Sequence, residues 1–89
     1  MSRFEVEVGE VAEWAVEEGT PDQLLQLGLM YANGRSVPVD MIEAHKWFNL
    51  AAMRGNAAAR QYREDIASEL SKAEIGIAQR RAREWLSRH

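Results

Sequence analysis

The sequence contains no cysteine and only two prolines among its 89 residues. Without a thiol the chain has no disulfide framework, no thiolate metal site and no cysteine nucleophile. Few prolines and an apolar fraction of 46% argue against wholesale disorder. No apolar run approaches membrane-spanning length, and acidic residues stand where a secretory signal would be apolar. We therefore expect one folded, soluble, cytoplasmic domain that does not insert into a membrane.

The basic excess of a nucleic-acid-binding protein is also missing, because the net charge is −3. The charge is unevenly distributed, at −5 over residues 1–19 and +3 over residues 72–89. Two interpretations stay open. The arginines near the C-terminus either complement a helix dipole on a solvated face, or form part of a polarised surface that orients a partner.

Residues that support catalysis are scarce. The two histidines are His45 and His89, and no nucleophile motif, glycine-rich phosphate loop, His-x-x-x-His pair or calcium loop accompanies them. His45 is expected to be hydrogen-bonded or to lie at the solvent edge. The adjacent Glu64 and Asp65 point in different directions on a helix. We predict no catalytic residue, no metal site and no cofactor.

Apolar residues recur at helical spacing along most of the chain and predict five helices. The first two cover about residues 8–18 and 21–33, the third opens at Asp40, the fourth follows Asn56, and the fifth covers about residues 72–88. Thr20 before Pro21 is a helix start, and capping boxes are predicted for Asp40 with Glu43 and for Ser71 with Glu74. The buried stripe of the fourth helix is expected to contain Ala59, Tyr62, Ile66 and Leu70. At residues 4–8, alternating apolar residues and glutamates leave a short strand open as an alternative.

Two helix-ending glycines, Gly19 and Gly55, lie 36 residues apart, a period typical of stacked helical hairpins. Between them a Leu-Gly-x-x-Tyr-x-x-Gly stretch is followed by Val-x-x-Asp, an Ala before a Trp, and Ala-Ala-x-x-Gly. This pattern resembles the Sel1-like repeat, a relative of the tetratricopeptide repeat. The residues that define the repeat are Leu27, Gly28, Tyr31, Gly34, Asp40, Ala44, Trp47, Ala51, Ala52 and Gly55.

The resemblance implies an all-α fold, a short α/α solenoid of antiparallel helical hairpins with about five helices. Residues 1–89 would form a single domain, with an N-terminal helix over 1–19, a well-matched repeat over 20–55 and a degenerate repeat over 56–89 that acts as a C-terminal cap. The second repeat is degenerate because Arg63-Glu64 stands 36 residues after Leu27-Gly28. Gly28 is expected to let two helices approach closely, with Tyr31 and Trp47 filling the gap between them.

Families of this kind act as adaptors, so the expected function is a non-catalytic protein–protein interaction module that binds a peptide or helix of a partner protein. Leu25 and Leu29 are candidates for a concave apolar strip, although another helix would equally account for them by covering them. Trp14 is the second candidate, with the alternative that it packs back on the second helix. The main competing hypothesis is a self-associating structural unit. A small enzyme or ligand-binding domain is a less favoured alternative.

Overall fold

The computed structural model describes residues 19–88, which form four α-helices and no strand. The helices are α1 (Pro21–Asn33), α2 (Met41–Met53), α3 (Ala57–Ala67) and α4 (Lys72–Arg88). The prediction of an all-α fold built from short-turn helical hairpins is confirmed. The predicted helix over residues 8–18 and the alternative strand at residues 4–8 lie outside the described residues.

Side-chain caps set the starts of three helices. Thr20 accepts a hydrogen bond from the Gln23 amide while the Gln23 side chain accepts from the Thr20 amide, at 3.2 and 3.3 Å. Ser71 and Glu74 make the same reciprocal pair before α4, and Asn56 Oδ1 accepts from the backbone at the start of α3. Each bond pairs a backbone amide that has no partner within the helix.

The start of α2 departs from the predicted capping box. Asp40 Oδ1 accepts from the Glu43 amide at 3.1 Å, but the Asp40 amide donates to the Tyr31 carbonyl, 3.0 Å away. The Glu43 carboxylate is consequently free to interact elsewhere. The capping box at this site was therefore wrong in its reciprocal half, because the chain returning from α1 already satisfies the Asp40 amide.

α2 is the central helix and packs against each of the other three. Its buried residues cover most of its circumference and are Ala44, His45, Trp47, Phe48, Leu50 and Ala51. α3 and α4 make no comparable backbone contact with each other. Glu64, which stands 36 residues after Gly28, is exposed. α3 and α4 therefore each attach to α2 rather than forming a second tight hairpin with each other.

The crossing of α1 and α2 is formed by Gly28 and Phe48. Both residues are buried, and a Cβ atom added at Gly28 would collide with two carbons of the Phe48 ring. Trp47 belongs to the buried cluster that contains Leu24 and Leu27 of α1. Its ring also meets that of Trp85 in α4 edge to face, with the centroids 5.8 Å apart. The role of Phe48 was missed, because spacing places both aromatic residues on the inner side of α2 without showing which one meets Gly28.

One polar contact connects α4 to the ends of α1 and α2. Arg54 donates to the Gly19 carbonyl at 2.8 Å, and its guanidinium lies 5.2 Å from the Trp85 ring centroid. Gly19 has a φ of 64°, a left-handed conformation that a residue with a side chain rarely adopts. The glycine before α1, the residue after α2 and the aromatic core of α4 therefore meet at one point.

The predicted apolar stripe of α3 is corrected at two positions. Leu70 lies beyond the helix, which ends at Ala67, although it still packs against the cluster of Ala44, Phe48 and Ile66. Tyr62 is 40% exposed, and its ring stacks on that of Phe48 at 5.2 Å with an angle of 17°. Tyr62 therefore lies at the edge of the core with one side toward solvent.

We predict opposite effects for the same substitution at two helical glycines. Gly28→Ala should destabilise the fold, because overpacking against a rigid ring costs about 1–3 kcal/mol, more than the gain in helix propensity. Gly76→Ala in α4 should stabilise it by about 0.5–1 kcal/mol, since nothing lies within 4 Å of the added Cβ atom. Urea denaturation of both variants measures the difference. Equal shifts would show that α1 and α2 do not cross at Gly28.

Candidate partner-binding face

Side chains of α1 and α3 pack on the buried cluster that contains Phe48 and are themselves partly exposed. Leu25 and Leu29 of α1 are partly buried and pack against the cluster that contains Phe48. Tyr62 of α3 stacks on the same ring. We call the surface formed by Leu25, Leu29 and Tyr62 the α1–α3 face. It is a candidate binding surface because its side chains pack on the buried core on one side and are partly exposed to solvent on the other.

The two leucines of this face differ in their packing. Leu25 contacts both buried clusters of the domain, whereas Leu29 contacts only the one around Phe48. Leu24 and Leu27, on the inner side of α1, are buried. Leu25 therefore has a larger structural role, and Leu29 is the position at which binding can be tested with less effect on folding.

The other site prediction, Trp14, lies outside the described residues. Tyr62 was missed as a surface residue, because its spacing from Ala59 and Ile66 also fits a buried stripe. Only the position of Phe48 shows that the Tyr62 ring covers the core with one side and leaves the other exposed. No sequence pattern contained that information.

Polar contacts set the spacing of the two helices that form the face. Asn56, at the start of α3, donates from Nδ2 to Asp22 Oδ1 in the first turn of α1, at 3.1 Å. Farther along α3, Gln61 donates to Asp65 Oδ1 at 2.9 Å. The face therefore carries exposed carboxylates beside its apolar residues.

The residues that define the repeat occupy core and turn positions. Tyr31, Asp40 and Ala52 are half-buried, and the glycines at 34 and 55 have φ angles of 70° and 103°. The buried members are Leu27, Gly28, Ala44, Trp47 and Ala51. None of these residues contributes a reactive group to the surface.

Glu43 is the main polar link between α2 and α4. Its carboxylate accepts from Trp47 Nε1 at 3.2 Å and from Arg81 at 3.0 Å, and Lys46 Nζ lies 3.5 Å away. The Lys46 ammonium also lies 4.1 Å from the Trp47 ring centroid. Because Arg81 is 43% exposed, its ion pair is worth little by itself. The group orients Trp47 in the core and is structural.

His45 is neither at the solvent edge nor fully hydrogen-bonded, contrary to expectation. The residue is 3% exposed, and within the described chain its Nδ1 has no hydrogen-bond partner. Burial lowers the pKa of His45 below its ordinary value of 6.5, and the nearby Arg63 guanidinium lowers it further. Asn49 holds Arg63 at 2.9 Å. The imidazole is therefore a neutral part of the packing between α2 and α3.

Residues 19–88 include no group of three or more histidine and acidic side chains placed to hold a metal ion. Over the same range, no helix combines the length and apolar character required to cross a bilayer. A helical hairpin with a glycine at its crossing, followed by further helices on the same central element, is consistent with a short α-helical repeat fold. Residues 24–56 match the family model of the Sel1 repeat, which supports the resemblance to a Sel1-like repeat protein. Comparison with curated proteins and with solved structures finds no match.

We predict that His45 makes the stability of the protein depend on pH. Its pKa is lower in the folded chain than in the unfolded chain, so the unfolded state binds more protons as the pH falls below 6.5. The free energy of unfolding should therefore decrease from pH 7 toward pH 5. The same measurement on His45→Gln should give a shallower dependence, and identical slopes would refute the assignment.

Proposed function

We propose that this chain binds a segment of another protein through the α1–α3 face and acts as an adaptor or accessory subunit. Sel1 repeats generally mediate protein–protein interaction. The observation that supports this particular face is the arrangement around Phe48, which leaves Leu25, Leu29 and Tyr62 half exposed above a close-packed core. Such a surface gains apolar burial on binding without first having to order itself.

Tyr62 is suited to be the anchor of this interaction. Its ring is 40% exposed, yet stacking on Phe48 restricts its movement. Tyrosine is enriched at the centres of interfaces, because it buries a large apolar area and keeps a polar group for hydrogen bonding. Since the ring is already immobilised, binding loses less side-chain entropy here than at a mobile residue.

The size of the face suits a short partner segment. Leu25 and Leu29 are one helical turn apart, and α1, with 13 residues, is about 20 Å long. A partner helix of two or three turns, or an extended peptide of similar length, covers that distance. A binding surface of this length is suited to one segment of a protein in a larger assembly.

The family is typically non-catalytic, and we extend this property to the present chain. In the described chain, His45 is buried and Glu43 has partners from both α2 and α4, so neither presents a free group to a substrate. We also propose a cytoplasmic location, in agreement with the absence of cysteine.

Leu29→Gln tests the face with a matched control, Met53→Gln, at the C-terminal end of α2. Met53 is 58% exposed and does not belong to the face, so both variants lose one accessible apolar side chain. Burial of a half-exposed leucine by a partner is worth about 1 kcal/mol, so Leu29→Gln should weaken binding about fivefold. Met53→Gln should bind as the wild type does. A partner is first recovered by affinity purification with the wild-type chain, and dissociation constants are then measured by calorimetry.

Circular dichroism of both variants distinguishes loss of folding from loss of binding. If Leu29→Gln folds and binds with unchanged affinity, the α1–α3 face is not the site. Trp14 and the acidic segment that contains it then become the better hypothesis. Light scattering on the pure protein addresses self-association, because a dimer that Leu29→Gln dissociates would mean that the face pairs with a second copy.

A further inference from the structure

We infer that the segment bound by the α1–α3 face is basic, with lysine or arginine side chains on both sides of its apolar anchors. This inference rests on the proposed function and specifies the chemistry of the partner. It follows from where the carboxylates of the face lie and from what does not neutralise them.

Each helix of the face carries an exposed carboxylate three residues from one of its apolar side chains. In α1, Asp22 precedes Leu25 by three residues and Leu29 by seven. In α3, Asp65 follows Tyr62 by three residues. Residues three and seven apart share one side of a helix. One exposed carboxylate of each helix therefore lies on the side of that helix that bears the apolar residues.

The fold accounts for Asp22, which lies in the first turn of α1 and accepts a hydrogen bond from Asn56, but it does not account for Asp65 in the same way. Asp65 lies in the last turn of α3, where the helix dipole favours cations, and that turn contains no basic residue. Its contact is with Gln61 in the same helix. Asp65 is thus placed against the local electrostatic preference and has no ion-pair partner within residues 19–88, so a cation of a bound partner explains it better.

No cation of the described chain neutralises the face. The ion pairs within residues 19–88 join Glu43 to Lys46 and to Arg81, on the side of α2 toward α4. Arg63 is bound by Asn49 of α2, and Asp22 receives only the neutral amide of Asn56. The sequence that leads into α1 adds a formal charge of −5 over residues 1–19.

Charge complementarity therefore selects the partner. Lysine or arginine one turn from the apolar anchor would meet Asp65 or Asp22, and acidic residues there would be repelled. Complementary charges at the rim of an interface mainly raise the association rate and exclude wrong partners, and salt screens their effect. The apolar strip then provides affinity, and the carboxylates provide selectivity.

The test is a selection from a displayed library of helical 16-residue peptides. The library has two fixed leucines one turn apart, with lysine, glutamate and alanine equally frequent elsewhere. Wild-type protein and Leu29→Gln are used as separate baits. Peptides that require Leu29 should contain more lysine than glutamate, by about threefold or more at positions adjacent to the anchors.

Two adjacent carboxylates of α3 provide the matched variants. Asp65→Lys reverses a charge on the face, and Glu64→Lys makes the same change in net charge on the other side of the helix, two residues from Tyr62. A selected peptide should bind Asp65→Lys about three- to fivefold more weakly than wild type in 50 mM salt. Glu64→Lys should have a clearly smaller effect, and in 0.5 M salt the two variants should converge.

Each result separates this inference from the proposed function. Leu29-dependent peptides without a lysine excess, or equal responses to Asp65→Lys and Glu64→Lys, would overturn the basic partner and leave the binding face in place. Recovery of no peptide that depends on Leu29 would overturn both. Both lysine variants remove an acid near the C-terminus of α3, so circular dichroism should show folded protein in each case.

Discussion

The burial of Phe48 is the contact on which the rest of the structure depends. One side of its surroundings is Gly28 of α1, which has no side chain to displace it, and the other is the Tyr62 ring of α3. A single side chain of α2 thereby sets the separation of α1 and places α3 beside it. Since cores are packed as closely as organic crystals, moving this ring would change both helix contacts together.

The two sides of α2 have different roles. Toward α4, the contacts are specific: Trp47 packs on Trp85, Glu43 pairs with Arg81, and the Arg54 guanidinium lies over the Trp85 ring. Toward the α1–α3 face, the side chains pack on the core but remain partly exposed to solvent. α4 therefore closes one side of the domain, while α1 and α3 present partly exposed apolar side chains.

The local elements of this protein could be predicted from sequence. Short-range rules located the starts of the helices at Thr20, Asn56 and Ser71, because a capping residue acts on an amide two or three positions away. The resemblance to a Sel1 repeat rested on positions with mechanical roles, and residues 24–56 match that family. The prediction that Leu25 and Leu29 bind a partner stays a prediction, and the structure adds that both side chains are partly buried against the core.

What the sequence alone determined was therefore which of the described segments are helical and where they begin, since these properties depend on neighbours along the chain. The tertiary structure decided that Phe48 meets Gly28, that Trp47 also meets α4, that His45 is buried with no partner for Nδ1 among residues 19–88, and that Tyr62 is a surface residue. Each of these depends on the direction from which another helix arrives. Helical spacing fixes the angle between two side chains of one helix but not which neighbouring helix each will meet.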